Sequence, residues 1–161
     1  MNQKEHILNG GLLAIGLGYI LKPSGSLATF QMVGMLFIPI ILGCLFPDID
    51  AHYGRHRKAL HNLPVLGLIA FYPLYLDNLH FVWIGIISHF VLDIVGSKRG
   101  IALFYPIWDR EFSLPAGVTV SSEYTVIVTV IITVIEVGIG QVMLWILHKY
   151  QIEEQLMVIF S

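Results

Sequence analysis

Five apolar runs occupy most of the chain, at residues 7–21, 27–46, 63–76, 79–95 and 124–147. A helix crosses the hydrocarbon core of a bilayer in about 20 residues, with a range of about 17–25. The second and fifth runs have that length, the first and fourth approach it, and 63–76 is short. The expected fold is therefore all-α: a polytopic membrane helix bundle of about four to five spans, one integral membrane domain over residues 1–161. The two shorter runs are joined only by Asp77-Asn78, which suits a helical hairpin or a partly re-entrant segment. Gly10, Gly11, Gly16 and Gly18 in the first run suit close helix packing inside a bilayer.

Composition agrees with this reading. Charged residues make up 12% of the chain and hydrophobic ones 56%, against about 25% charged in soluble globular domains. A net charge of −2 gives no electrostatic case for nucleic acid. Cys44 is the single cysteine, which excludes an intramolecular disulfide and a thiolate zinc site. Glu5 and His6 spoil the basic leader that a cleaved signal sequence ending at Ala28 would need, so the first run reads as a resident span.

With five spans, the N-terminus, loop 47–62 and segment 96–123 share one side. That side carries Lys4, Arg55, Arg57, Lys58, Lys98, Arg99 and Arg110, and the other only Lys22 and Lys149. The positive-inside rule then places the N-terminus and both long loops in the cytoplasm. Treating 63–95 as one re-entrant unit would weaken that count.

The groups that suggest chemistry lie on the same side. Pro-Asp-Ile-Asp offers Asp48 and Asp50, which would face one centre if the backbone there is extended. His-Arg-Lys-Ala-Leu-His follows, with His56, Arg57 and His61. Ser-His-Phe-Val-Leu-Asp sets His89 and Asp93 four apart, one turn along one helix face, and His6 precedes the first span. Ionisable groups near a bilayer interior are costly, about +2.5–3.5 kcal/mol for Asp on insertion scales, and mark function. Oxygen and imidazole donors without thiolate suit Zn²⁺, with Mn²⁺ or Fe²⁺ as alternatives. His6, Asp48, Asp50, His56, His61, His89 and Asp93 exceed the three or four ligands of one zinc, so two ions are expected, bridged by Asp50 or Asp48. Each group also has an ordinary reading as a turn cap, a helix-packing hydrogen bond or a solvated loop side chain. His52 in the loop, and His80 and His148 at span edges, fit such roles. In the last run Thr125, Thr129, Thr133, Glu136 and Gly140 recur on one face as a polar packing stripe. Glu136 lies too deep for the metal loop and has no assignment there.

"LFPDID", "HRKALHN" and "SHFVLDIVGSKRGIALFYPIWDREFSLP" together resemble the YdjM family, membrane-bound predicted metal-dependent hydrolases. The family pattern falls on His6, Asp48, Asp50, His56, Arg57, His61, Asn62, His89, Asp93 and Pro106. The resemblance covers residues 1–115 and leaves the C-terminal span 124–147 with little signal. Lys58-Ala59-Leu60 replaces a more usual Gly-x-Thr, and Asn62 stands where Ser is common; neither change removes a candidate ligand. The His-x-x-x-Asp pair is also similar to helix-borne ligands of zinc-dependent phospholipase C.

The resemblance implies a metal-dependent hydrolase of the inner membrane, with Asp50, His61 and Arg57 as its catalytic set. Two ions would clamp a phosphoryl oxygen, and Arg57, with Lys58 or Arg110, would bind the substrate phosphate. The location favours an amphiphilic small-molecule substrate, a phospholipid or isoprenoid phosphate, with membrane lipids as partners. A divalent-metal transporter, favoured by Glu136, and a structural or regulatory protein with a metal-stapled loop are the alternatives.

Overall fold

The computed structural model describes residues 1–53, 57–76, 78–115, 117–119 and 121–150. Among them the regular structure is helical: α1 (Gln3–Leu21), α2 (Leu27–Leu45), a 3-10 helix (Pro47–Tyr53), α3 (Leu63–Leu76), α4 (Val82–Val95) and α5 (Thr125–Lys149). Only isolated backbone bridges occur besides, Ser97 with Val118 and Ile101 with Phe112. Each α-helix coincides with one apolar run. Two segments, Leu27–Ala51 and Thr125–Lys149, are long and apolar enough to cross a membrane. At 14 residues each, α3 and α4 reach about 21 Å, short of a hydrocarbon core about 30 Å thick.

Local signals set the helix ends. Asn2 caps α1, its side chain accepting from the Glu5 amide while the Glu5 carboxylate accepts from the Asn2 amide, the reciprocal pair of a capping box. Asn62 does the corresponding work for α3. Its Oδ1 accepts from the Val65 amide at 3.0 Å, and its Nδ2 donates to the carbonyls of Lys58 and Ala59, each at 2.8 Å. Asn62 thus ties the 58–59 turn to the start of α3.

Helix contacts are made through small residues. His6, Asn9, Gly10, Leu13 and Ala14 lie on the buried face of α1, and Leu13 and Ala14 pack with Leu36, Ile40 and Cys44 of α2. A Cβ on Gly10 would lie 2.9 Å from Cys44 Sγ, one on Gly16 2.6 Å from Val137 of α5, and one on Gly18 would strike Val33 of α2. Three of the four glycines singled out in the first run thus sit at close helix contacts; Gly11 meets Phe37 at an ordinary 3.5 Å. The tightest crossing is between α2 and α4, where Gly43 and Gly85 face each other. A Cβ on either would collide with the opposite backbone, at the carbonyl oxygen of Val82 or of Ile40. In lipid, helix association rests on such close packing rather than on hydrophobic burial.

No residue of α3 is buried, and Leu68, Phe71, Leu74, Ile131, Val134 and Ile135 are exposed on α3 and α5. Apolar faces of this kind are what a bilayer solvates. Beyond α4 the chain folds back on the helix end, with the Leu114 amide on the Ile94 carbonyl at 2.8 Å and that of Val118 on Gly96 at 3.0 Å.

Candidate metal centre

The site is assembled from four parts of the chain: His6 in the first turn of α1, Asp48 and Asp50 in the 3-10 helix, His61 just before α3, and His89 with Asp93 in α4. His6, Asp50, His61, His89 and Asp93 are all buried, and the Asp48 side chain is 11% exposed. The extended backbone expected around Asp48 and Asp50 is replaced by a 3-10 turn, opened by Pro47, whose missing N–H and fixed φ suit a first helical position. With three residues per turn, side chains two apart point about 120° apart. The two carboxylates accordingly reach His61 from different sides. Asp50 Oδ2 accepts from Nδ1 at 3.0 Å and from the Leu60 amide at 3.2 Å. Asp48 Oδ1 lies 3.8 Å from Nε2.

The α2–α4 crossing orients His89. The Cys44 carbonyl belongs to the last turn of α2, where helical partners run out, and it accepts a hydrogen bond from His89 Nδ1 at 2.6 Å. With Nδ1 of both imidazoles donating, each neutral ring carries its lone pair on Nε2. These two Nε2 atoms face each other at 3.0 Å. Two acceptors in contact repel unless a cation or a proton lies between them. Carboxylates complete the surroundings: Asp48 Oδ1 is 3.7 Å from His89 Nε2, and Asp93 Oδ2 is 3.6 Å from His89 Nε2 and 3.8 Å from His61 Nε2. Donors bound at about 2.0–2.1 Å around a tetrahedral zinc stand about 3.3–3.4 Å apart, within the range spanned here. Burial, followed by the neighbouring His89, lowers the His61 pKa to about 4 against the pull of Asp50, so the ring is neutral at physiological pH, as a metal ligand requires.

His6 stacks on His89 with ring centroids 3.7 Å apart. Its two ring nitrogens are buried without a hydrogen-bond partner among the described residues, and Nε2 lies 3.6 Å from Asp93 Oδ1. A buried, unsatisfied imidazole is costly, and a bound ion would relieve it. Oδ1 of Asp93 also meets the Met1 amino group at 2.5 Å and Arg57 Nη2 at 3.6 Å. Among the described residues, Asp93 turns its two oxygens to different histidines, Oδ1 to His6 and Oδ2 to His61 and His89. Among the described residues, two groups have donor atoms close enough for one ion each: His6, His89 and Asp93; and Asp48, His61 and His89. They share His89, whose single uncommitted nitrogen serves one ion at a time.

Other expected site residues fall differently. Asp50 stands outside both groups and acts on Nδ1 of His61, the position from which a carboxylate orients a metal-binding imidazole. Arg57, expected to bind the substrate phosphate, is buried and donates to the carbonyls of Arg99 and Gly100 beside Asp93. Lys58 lies 3.5 Å from Asp109 and Arg110 lies over the Trp108 ring. His56 lies outside the described residues. Glu136, expected too far down α5, meets the residues that adjoin the site: Asn9, three after His6, and Ser88, just before His89. Helix spacing on α1 held that signal; the depth of His89, mid-way along a short α4, did not show in the sequence. Replacing Asp50 by alanine is expected to weaken metal affinity about 10–100-fold by freeing the His61 ring, measured by chelator competition on the purified protein.

The sequence profile described as YdjM inner membrane protein matches residues 1–159. No curated protein and no solved structure matches the chain.

Proposed function

The chain belongs to the YdjM family of inner membrane proteins, and on that premise we propose a multi-pass, metal-dependent hydrolase with its N-terminus and site at the cytoplasmic face. Its substrate is a phosphoester of an amphiphile, a phospholipid or isoprenoid phosphate. The observation that carries the reading is the pair of Nε2 atoms facing at 3.0 Å, each ring held by a donated Nδ1 hydrogen bond and flanked by Asp48 and Asp93. His61, His89, Asp48 and Asp93 would hold a divalent ion, of which zinc, manganese and iron suit the donor set. Such an ion supplies Lewis acidity toward a phosphoryl oxygen. Asp50 and the Cys44 carbonyl keep the two imidazoles aimed, and the outer oxygen of Asp93 with His6 offers the beginning of a second ion site. Arg57 balances the buried charge of Asp93 and ties the 97–100 turn to the site.

An amphiphilic substrate is supported by a cavity of about 460 Å³ that reaches Asp48 and is otherwise walled mainly by apolar side chains, among them Ile7, Leu42, Leu45, Ile69 and Val82. Pockets of this size and lining suit a chain-bearing ligand with its polar group at one end.

The test is metal content by inductively coupled plasma mass spectrometry on detergent-purified protein, followed by phosphate release from phosphatidic acid and isoprenyl phosphates. Bound zinc, manganese or iron and chelator-sensitive phosphate release are expected. Well-folded protein that takes up no ion after add-back would overturn the proposal. Metal accumulation in proteoliposomes without ester turnover would favour transport instead.

A further inference from the structure

A second polar cluster lies one helical turn along from the candidate metal centre and joins three helices. Asn9 of α1 donates through Nδ2 to Glu136 Oε2 at 2.8 Å and to Thr133 Oγ1 at 2.9 Å. The Thr133 hydroxyl is itself spent on the Thr129 carbonyl at 2.8 Å. Ser88 Oγ of α4 lies 2.5 Å from Asn9 Oδ1 and 2.9 and 3.0 Å from the two Glu136 oxygens. Asn9, Ser88 and Thr133 are buried.

Counting protons decides the state of this cluster. A serine hydroxyl has one proton to donate, yet Ser88 touches the amide oxygen of Asn9 and the carboxyl of Glu136. Were Glu136 ionised, one of those contacts would set lone pair against lone pair, with Asn9 and Ser88 buried and Glu136 half-buried. With a proton on Glu136 the ring closes: Glu136 donates to Ser88, Ser88 to Asn9 Oδ1, and Asn9 Nδ2 to Glu136. Rotating the Asn9 amide, whose oxygen and nitrogen are assigned by such networks, changes nothing essential. Its oxygen would then face Glu136 Oε2 across the same 2.8 Å, a contact that again needs the carboxyl proton.

We propose that Asn9, Ser88 and Glu136 form a proton-binding site within the bundle, distinct from the metal centre, with Glu136 held as a neutral carboxylic acid. Among the described residues no cationic side chain pairs with Glu136. The Cys44 thiol of α2 donates to the Gly85 carbonyl at 3.4 Å; the titratable groups closest in sequence to the partners of Glu136 are His6, three residues before Asn9 on α1, and His89, next to Ser88 on α4. An ionised carboxylate in an apolar bundle has no such relief. The proton therefore latches α5, which carries no candidate ligand, onto the two helices that carry His6, His89 and Asp93.

Infrared difference spectra of the full chain in lipid nanodiscs, wild type minus Glu136→Gln at neutral pH, read the proposal directly. A protonated-carboxyl C=O band that shifts in deuterium oxide and is lost in Glu136→Gln is expected. Glutamine keeps the hydrogen-bond count, donating to Ser88 and accepting from Asn9, so the variant is expected to fold with an unchanged melting temperature. Ser88→Ala removes the acceptor and is expected to move the band to higher frequency. Labelling by dicyclohexylcarbodiimide, which modifies protonated carboxyls in apolar surroundings, gives a second readout on the wild type alone, with the label expected at Glu136. A carboxylate signature at Glu136 or absence of its label would overturn the proposal. Both readouts are independent of metal and of turnover, so they stand apart from the hydrolase reading.

Discussion

His89→Ala and Asp93→Ala are expected to remove bound metal and any ester hydrolysis, with different effects on stability. His89 lies at the meeting point of both candidate ion groups, and its loss leaves neither with three donors. The cavity opened is next to His6 and bounded by polar groups, so the fold survives with a moderate loss. Asp93 differs because its Oδ1 sits against the Met1 amino group and Arg57. Its removal strands a buried guanidinium, a loss of about 3–5 kcal/mol for breaking one side of a buried ion pair. Metal content and melting temperature of the two variants in detergent separate these effects. Stoichiometric metal in both variants would remove the basis for the site.

The second large effect concerns glycine. Gly85→Ala is expected to cost about 3 kcal/mol or more, the upper end of the range for overpacking. Its Cβ would strike the Ile40 carbonyl oxygen and lie 2.8 Å from the Cys44 amide nitrogen and Gly43 Cα, and backbone atoms cannot swing aside as a side chain can. Helices α2 and α4 must then separate, which pulls the Cys44 carbonyl from His89 Nδ1 and releases the imidazole. The variant should lose metal along with thermal stability, whereas Gly34→Ala is expected to be neutral or stabilising. A Cβ on Gly34 meets nothing within 4 Å, and alanine is favoured over glycine within a helix by about 0.5–1 kcal/mol. Thermal melts monitored by size-exclusion chromatography give both numbers. An unshifted Gly85→Ala melt would mean that the crossing is looser than its geometry requires.

What the structure added is clearest at Asp48 and Asp50. Both are acidic, two residues apart after a proline, and as sequence they are interchangeable candidates for one ion. The 3-10 turn separates them, sending Asp48 toward the imidazole nitrogens that face each other and Asp50 to the back of His61. Arg57 shows the same limit: a guanidinium beside a histidine motif suits an anion, but its partners, Arg99, Gly100 and Asp93, come from distant parts of the chain. Glu136 was legible as an intramembrane carboxyl and its Thr stripe as a packing face. Its partners were not, because α4 is short enough to bring Ser88 level with the middle of α5.

The sequence by itself determined where the helices form, because apolar run length and caps act within a few residues, and which chemical groups gather near one end, because spacing along a helix fixes a face. Family membership followed from the order of those motifs. Tertiary structure alone decided which nitrogen of His61 and of His89 carries a lone pair, which carboxylate meets it and which orients the His61 ring, and that a separate carboxyl needs a proton. Those properties depend on donors and acceptors approaching to within about 3 Å from different helices. The glycine contact between α2 and α4, rather than any local preference, sets that distance for His89.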